Sequence, residues 1–241
     1  MEGRAKARMQ ASCANVSTYG GKSMAFKYKF LCPAMVWGAM LFSVALSLAA
    51  PARSEPVQIV GFGDSLMAGF GLGPGEGFTE QLQEALRAKG HDVTVSNAGV
   101  SGDTTSGGLA RLDWSVPDGT DLVILELGAN DMLRGIDPAI VEKNLDEMIA
   151  RLKARGMKVV LAGMLAAPNL GHAYGEAFGS LYPRLAQKHE VVLYPFFLDG
   201  VAAVQELLSE DGMHPSAGGI RTIVERILPT VEQAMAALPQ D

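Results

Sequence analysis

Four histidines stand in the chain, at 91, 172, 189 and 214, and the residues around one of them suit proton transfer. In Asp211-Gly212-Met213-His214-Pro215 a carboxylate lies three residues ahead of an imidazole. At that spacing an aspartate can fold back and accept the Nδ1 proton, which leaves Nε2 free to take a proton from a serine. The same five residues also read as an ordinary surface turn. Ser65 is the serine to pair with His214, because Gly61-Phe62-Gly63-Asp64-Ser65-Leu66 forms the first loop, at the end of the first apolar run. Acyl transfer to a serine further needs donors aimed at the oxyanion that develops on the attacked carbonyl. Gly128-Ala129-Asn130-Asp131 offers the Asn130 carboxamide, and the stretch from Asn97 to Thr104 offers the Gly102 amide with no side chain in front of it. Asn-Asp and Gly-Asp are also common turn pairs, so each loop has a purely structural reading.

Other chemistries find less support. Leu66 stands where a G-x-G-x-x-G fingerprint requires its last glycine, and no G-x-x-x-x-G-K-[ST] occurs, which argues against a phosphate cradle. Ser65 lacks the flanking glycines of the G-x-S-x-G elbow, so a nucleophile here belongs to a different geometry. The histidines are dispersed and form no H-E-x-x-H, so no metal and no other cofactor is expected. His91 and His189 each follow a helical stretch and precede a strand, and are expected as solvated loop residues away from the site. His172 follows the fourth strand and is a candidate for the pocket wall.

These residues need a scaffold that brings distant loops together. Five short apolar runs read as strands: Val57 to Phe62, Asp92 to Ser96, Leu122 to Leu127, Lys158 to Leu165 and Val191 to Tyr194. A core such as Leu122-Val123-Ile124-Leu125 is apolar on both faces, as strands of a parallel sheet covered by helices require. Amphipathic stretches lie between them. Phe78, Leu82, Ala85 and Leu86 share one face; Val141, Leu145, Met148, Ile149 and Leu152 form a stripe after the Asp137 cap and Pro138. Phe178, Leu181 and Leu185 mark a third helix. Ile220, Ile223, Val224, Ile227 and Val231 mark a fourth, with a bend expected at Pro229. The pattern predicts an α/β fold, a three-layer αβα sandwich on a five-stranded parallel sheet. Chemistry in such sheets sits beyond the carboxyl ends of the strands, where the strand order reverses. In the flavodoxin-like order 2-1-3-4-5, Gly102, Ser65 and Asn130 stand side by side.

Composition bounds the class of protein. The chain of 241 residues is 48% hydrophobic and 19% charged, which excludes intrinsic disorder. Residues 1–52 carry six of the 20 basic residues and one of the 26 acidic ones, leaving 14 basic against 25 acidic residues and a net charge of −11. A nucleic-acid footprint needs a basic face and is therefore not expected. From Met24 a short basic segment leads into the apolar stretch Phe30 to Ala50 and then Ala50-Pro51-Ala52, the layout of a secretory signal peptide cut after Ala52. An uncleaved anchor is the alternative, since Pro33 to Ala50 is just long enough to span a bilayer. Cleavage would remove both cysteines, Cys13 and Cys32, and leave an exported single domain over residues 53–241 with no stable membrane span. A monomer is the default expectation.

Taken together, Gly63-Asp64-Ser65-Leu66, Gly102 after the second strand, Gly128-Ala129-Asn130-Asp131 and Asp211-Gly212-Met213-His214 resemble the four blocks of the SGNH (GDSL) hydrolases, in the family's order. The resemblance runs from Val57 to about Leu228. Ala68-Gly69, Ser101-Gly102-Asp103-Thr104, Glu126-Leu127 and Tyr194-Pro195-Phe196-Phe197 look most like its secreted bacterial thioesterase, lysophospholipase and arylesterase group. The resemblance implies Ser65 as nucleophile, His214 as general base and acid, and Asp211 as its orienting partner. It implies an oxyanion hole of the Ser65 and Gly102 amides and the Asn130 side chain. Met67 departs from the small hydroxyl residue frequent in the family and bears on packing. The implied substrate is a small ester or thioester, including arylesters, acyl thioesters and lysophospholipids. Met132, Leu133, Ile136, Leu170 and Tyr174 are the candidates for contact with an acyl chain, although they equally suit ordinary packing. An exported carbohydrate or peptidoglycan O-deacetylase is a second reading, and a non-catalytic periplasmic binding protein of the same fold a third.

Overall fold

A computed structural model describes residues 55–239, so the leader expected over residues 1–52 lies outside the described residues. Five strands, β1 (Val57–Gly63), β2 (Val93–Gly99), β3 (Leu122–Glu126), β4 (Lys158–Ala162) and β5 (Val192–Tyr194), form one parallel sheet in the order β2-β1-β3-β4-β5. Every residue of β3, the central strand, is buried, because helices cover both of its faces. Seven helices lie between and after the strands: α1 (Ser65–Ala68), α2 (Phe78–Ala88), α3 (Thr105–Ser115), α4 (Ala129–Leu133), α5 (Pro138–Ala154), α6 (His172–His189) and α7 (Ala217–Ala236). Helix α2 packs on α7, while α5 packs between α3 and α6, giving the two outer layers of the sandwich. None of the described helices is long and apolar enough to cross a membrane.

Register places the site. Gly63 pairs with Gly99 on one side and Glu126 on the other, so the loops after β1, β2 and β3 leave the sheet at one level. The strand limits differ from the pattern reading for local reasons. Strand β2 continues past Ser96 to Gly99 because the Asn97 side chain accepts from the Gly99 amide and donates to the Met67 carbonyl, tying the extension to α1. Strand β4 ends at Ala162 and not at Leu165, because β5 stops at Tyr194: the Gly163 amide makes the last bond to the Tyr194 carbonyl and its carbonyl accepts from Phe197 beyond that strand. Leu165 is thereby freed to stand half-exposed at the active end of the sheet. Helix α7 continues through Pro229, which lies on its exposed side.

Candidate active site

Asp64 organises the first loop. Its carboxylate caps α1 by accepting from the Leu66 amide at 3.0 Å, and it accepts from Asn130 Nδ2 at 2.9 Å, joining the loop after β1 to the loop after β3. It is fully buried, with its own amide donating to Glu126 Oε2 at 3.3 Å. Burial pushes the Asp64 carboxyl up to about 6, against the lowering by those hydrogen bonds. Glu126, also fully buried, is held well above the usual carboxylate range by burial and by the charge of Asp64 beside it. Met67 is buried against Gly61 and does not reach the pocket, in keeping with its role in packing.

Ser65 therefore opens a one-turn helix, where its own amide has no intrahelical partner while that of Leu66 is taken by Asp64. Its Oγ lies 2.8 Å from His214 Nε2, and His214 Nδ1 lies 2.6 Å from Asp211 Oδ2. Gly212, at φ 69°, supplies the left-handed residue that lets the chain fold back, so that Asp211 Oδ1 also accepts from the amides of Met213 and His214. The His214 amide first, then the Met213 amide and the imidazole, lower the Asp211 carboxyl to about 2. An ionised Asp211 only accepts, so Nδ1 carries the ring proton and Nε2 accepts from the Ser65 hydroxyl. The loop is fastened from behind by the Ser209 amide on the His214 carbonyl and the Ser216 amide on the Leu207 carbonyl.

The second and third loops face the same space. Gly102 adopts φ 82°, and Arg134 Nη2 holds its carbonyl at 2.8 Å, fixing the peptide's orientation. Asn130 sits in the first turn of α4 behind Gly128, at φ 123°, where a Cβ would collide with the Tyr182 hydroxyl. That hydroxyl donates to the Leu127 carbonyl, so the collision has no easy relief. One Asn130 amide proton goes to Asp64, which leaves the other to the pocket. Ser65, Gly102, Asn130 and His214 all border one cavity of about 480 Å³.

Of the five residues expected along an acyl chain, Met132 and Leu133 line this cavity, while Ile136, Leu170 and Tyr174 do not. The Tyr174 hydroxyl donates to the Ile136 carbonyl at 2.9 Å and its ring stacks on Phe178, so these side chains pack against the core one layer away. The cavity is lined instead by Leu66, Met164, Leu165 and Phe196, and next to His214 by Phe70 and Met213. Met213 and Phe70 carried a usable signal, being adjacent to His214 and just past the one-turn helix that Ser65 opens. His172 is exposed beside Glu176 and does not line the cavity. His189 is not solvated: only 13% of its side chain is exposed, and it pairs with Asp146 at 2.6 Å; His91 pairs with Glu232 at 3.0 Å.

Sequence reasoning also passed over Arg111. Buried in α3, it bonds Asp103 Oδ2 at 2.7 Å, the Ala98 carbonyl at 2.8 Å and the Gly63 carbonyl at 2.9 Å, with its guanidinium 4.0 Å over the Phe62 ring. It thus ties the end of β1, the end of β2 and the residue after Gly102 to one rigid fork. An arginine inside an amphipathic helix pattern gives no sign from sequence that it will turn inward.

Known proteins match this chain over most of its length. The chain is 39% identical to esterase TesA of Pseudomonas aeruginosa, over 80% of this chain and 98% of that protein. A crystal structure of TesA superposes with a TM-score of 0.70 at 40% identity, covering 73% of this chain and 99% of that one. Identity is 41% to an arylesterase of Vibrio mimicus, over 73% of this chain and 88% of the relative. It is 35% to thioesterase 1/protease 1/lysophospholipase L1 of Escherichia coli K12, over 73% and 82%. Residues 62–221 match the GDSL-like lipase/acylhydrolase profile, and with these relatives the match shows that the chain belongs to that family.

Proposed function

We propose that the protein is an exported serine esterase that hydrolyses carboxylic esters and thioesters through an acyl-enzyme on Ser65. The observation that carries the reading is the unbroken relay from Ser65 Oγ through His214 to Asp211, at 2.8 and 2.6 Å, opening on the cavity that Gly102 and Asn130 border. In the first step Ser65 Oγ attacks the carbonyl carbon while His214 Nε2 takes the hydroxyl proton, and ionised Asp211 stabilises the imidazolium. The oxyanion rests on the Ser65 and Gly102 amides and the Asn130 carboxamide, and His214 returns the proton to the departing alcohol or thiol. Water, activated by the same imidazole, then releases the acid.

The cavity's lining points to the substrate class. Its walls are mainly the side chains of Leu66, Met132, Leu133, Met164 and Phe196, which suit an alkyl or aryl acid better than the acetyl group of a polar glycan. The names of the relatives, an esterase, an arylesterase and a thioesterase/lysophospholipase, agree with that choice. Export rests on the basic and apolar segments from Met24 to Ala52. Nitrophenyl esters from acetate to dodecanoate, assayed beside acetylated xylan with a Ser65→Ala control, test the reading. Turnover that rises with chain length and vanishes in the variant is expected; acetate release from xylan with no turnover of the longer esters would overturn it.

A further inference from the structure

We infer that Phe70 and Met213 form a leaving-group subsite beside the imidazole that takes a flat aromatic alcohol, an inference that rests on the esterase reading above. In acylation the bond from Ser65 Oγ to the carbonyl carbon forms and the bond from that carbon to the alcohol oxygen breaks. The serine proton passes through His214 Nε2 to the departing oxygen, and no further reactant is required. The departing oxygen must therefore come within hydrogen-bond reach of Nε2. Whatever it carries spreads over the surface next to the imidazole, while the carbonyl oxygen points the other way, to Gly102 and Asn130.

That surface is aromatic. The Phe70 ring centroid lies 4.7 Å from the His214 ring at a tilt of 39°, yet Phe70 remains 52% exposed, and Met213 beside it is 56% exposed. Both line the cavity and neither belongs to the hydrophobic core, so packing of the fold does not account for them. The placement of Phe70 is built into the nucleophile's own helix. Gly69 ends α1 in the left-handed conformation, and the Phe70 amide returns to the Ser65 carbonyl at 3.1 Å. A half-open phenyl face and a thioether offer offset stacking and sulfur contact to an aromatic ring, neither of which a puckered saturated ring can match.

Two butyrate esters test this: benzyl and cyclohexylmethyl, whose alcohols have the same ring size and similar acidity and give the same butyryl-enzyme. Replacing Phe70 by leucine should lower the benzyl-to-cyclohexylmethyl ratio of kcat/KM by roughly two- to tenfold. Phe70→Tyr should restore the ratio, and rapid-quench kinetics should place the Phe70→Leu loss in acylation. An unchanged ratio would overturn the subsite. So would equal slowing of acylation and deacylation, because His214 serves both steps and Phe70 would then be only a support for the imidazole. If the wild-type protein hydrolyses neither ester and Ser65 resists acylation, the esterase reading fails and the subsite with it, a result distinct from an unchanged ratio in an active enzyme.

Discussion

Replacing Asp64 by asparagine separates what this residue does for the fold from what it does for Asn130. The carboxylate presents one oxygen to the Leu66 amide and the other to Asn130 Nδ2. A carboxamide has a single acceptor oxygen, so whichever way it is turned, one of the two donors meets an NH2 group. Loss of a hydrogen bond to a charged group costs about 1.5–3 kcal/mol. Against this stands the burial of the wild-type charge. The rise of the Asp64 carboxyl from 3.8 to about 6 means that the folded state disfavours ionisation, by about 3 kcal/mol at most. That penalty is absent below pH 4, where the group is protonated in both states, and is fully present above pH 6. The asparagine variant escapes it. Its stability relative to wild type should therefore fall by about 2–3 kcal/mol as pH is lowered from 8 to 4, read from urea midpoints. Turnover behaves otherwise, because in the mechanism we propose a misdirected Asn130 forfeits part of an oxyanion donor worth about a hundredfold to a thousandfold in rate. We expect kcat to fall about ten- to a hundredfold at pH 8 in a protein that is still folded. Adding Asp64→Asn to Asn130→Ala should then cause little further loss. A variant with wild-type kcat, or losses that multiply fully in the double variant, would refute the link from Asp64 to Asn130.

Three further substitutions probe the rest of the site. Gly128→Ala sets a methyl against the buried Tyr182 hydroxyl at φ 123°, and should destabilise the fold by about 2–4 kcal/mol in urea while lowering kcat, since Asn130 moves with the turn. Arg111→Lys keeps the charge but not the fork across Asp103, Ala98 and Gly63, and should lower kcat about tenfold with KM little altered; equal activity would show that the ends of β1 and β2 and the loop after β2 hold their places without it. Leu133→Asp should depress octanoate turnover far more than acetate turnover, since each buried methylene is worth about 0.8 kcal/mol, whereas Tyr174→Phe, which loses only the bond to Ile136, should leave the chain-length profile as it is.

The strands and the meeting of the three loops were legible because they follow from periodicity and order. A run such as Leu122 to Leu125 must be buried on both faces, and a parallel sheet must bring the ends of its neighbouring strands together. Asp211 and His214 could be paired from spacing alone, since Gly212 permits the turn. What escaped depends on directions that sequence does not encode. Tyr174 and Leu133 leave the same end of the sheet, but in the folded chain Tyr174 turns inward to Phe178 and the Ile136 carbonyl. Arg111 looks like a solvated helix residue until two strand-end carbonyls and the Asp103 carboxylate are seen to converge on it. Glu126 looks like the exposed end of a strand, yet it is fully buried and accepts from the Asp64 amide, a partner that its place in the sequence does not reveal.

The most direct test of the central claim is the site of covalent capture. A fluorophosphonate should label the protein once, with the adduct located on Ser65 by peptide mass spectrometry, and His214→Ala should slow the labelling by several orders of magnitude. Labelling at a different residue, or capture of Ser65 that proceeds as fast without His214, would contradict the relay on which the esterase reading stands.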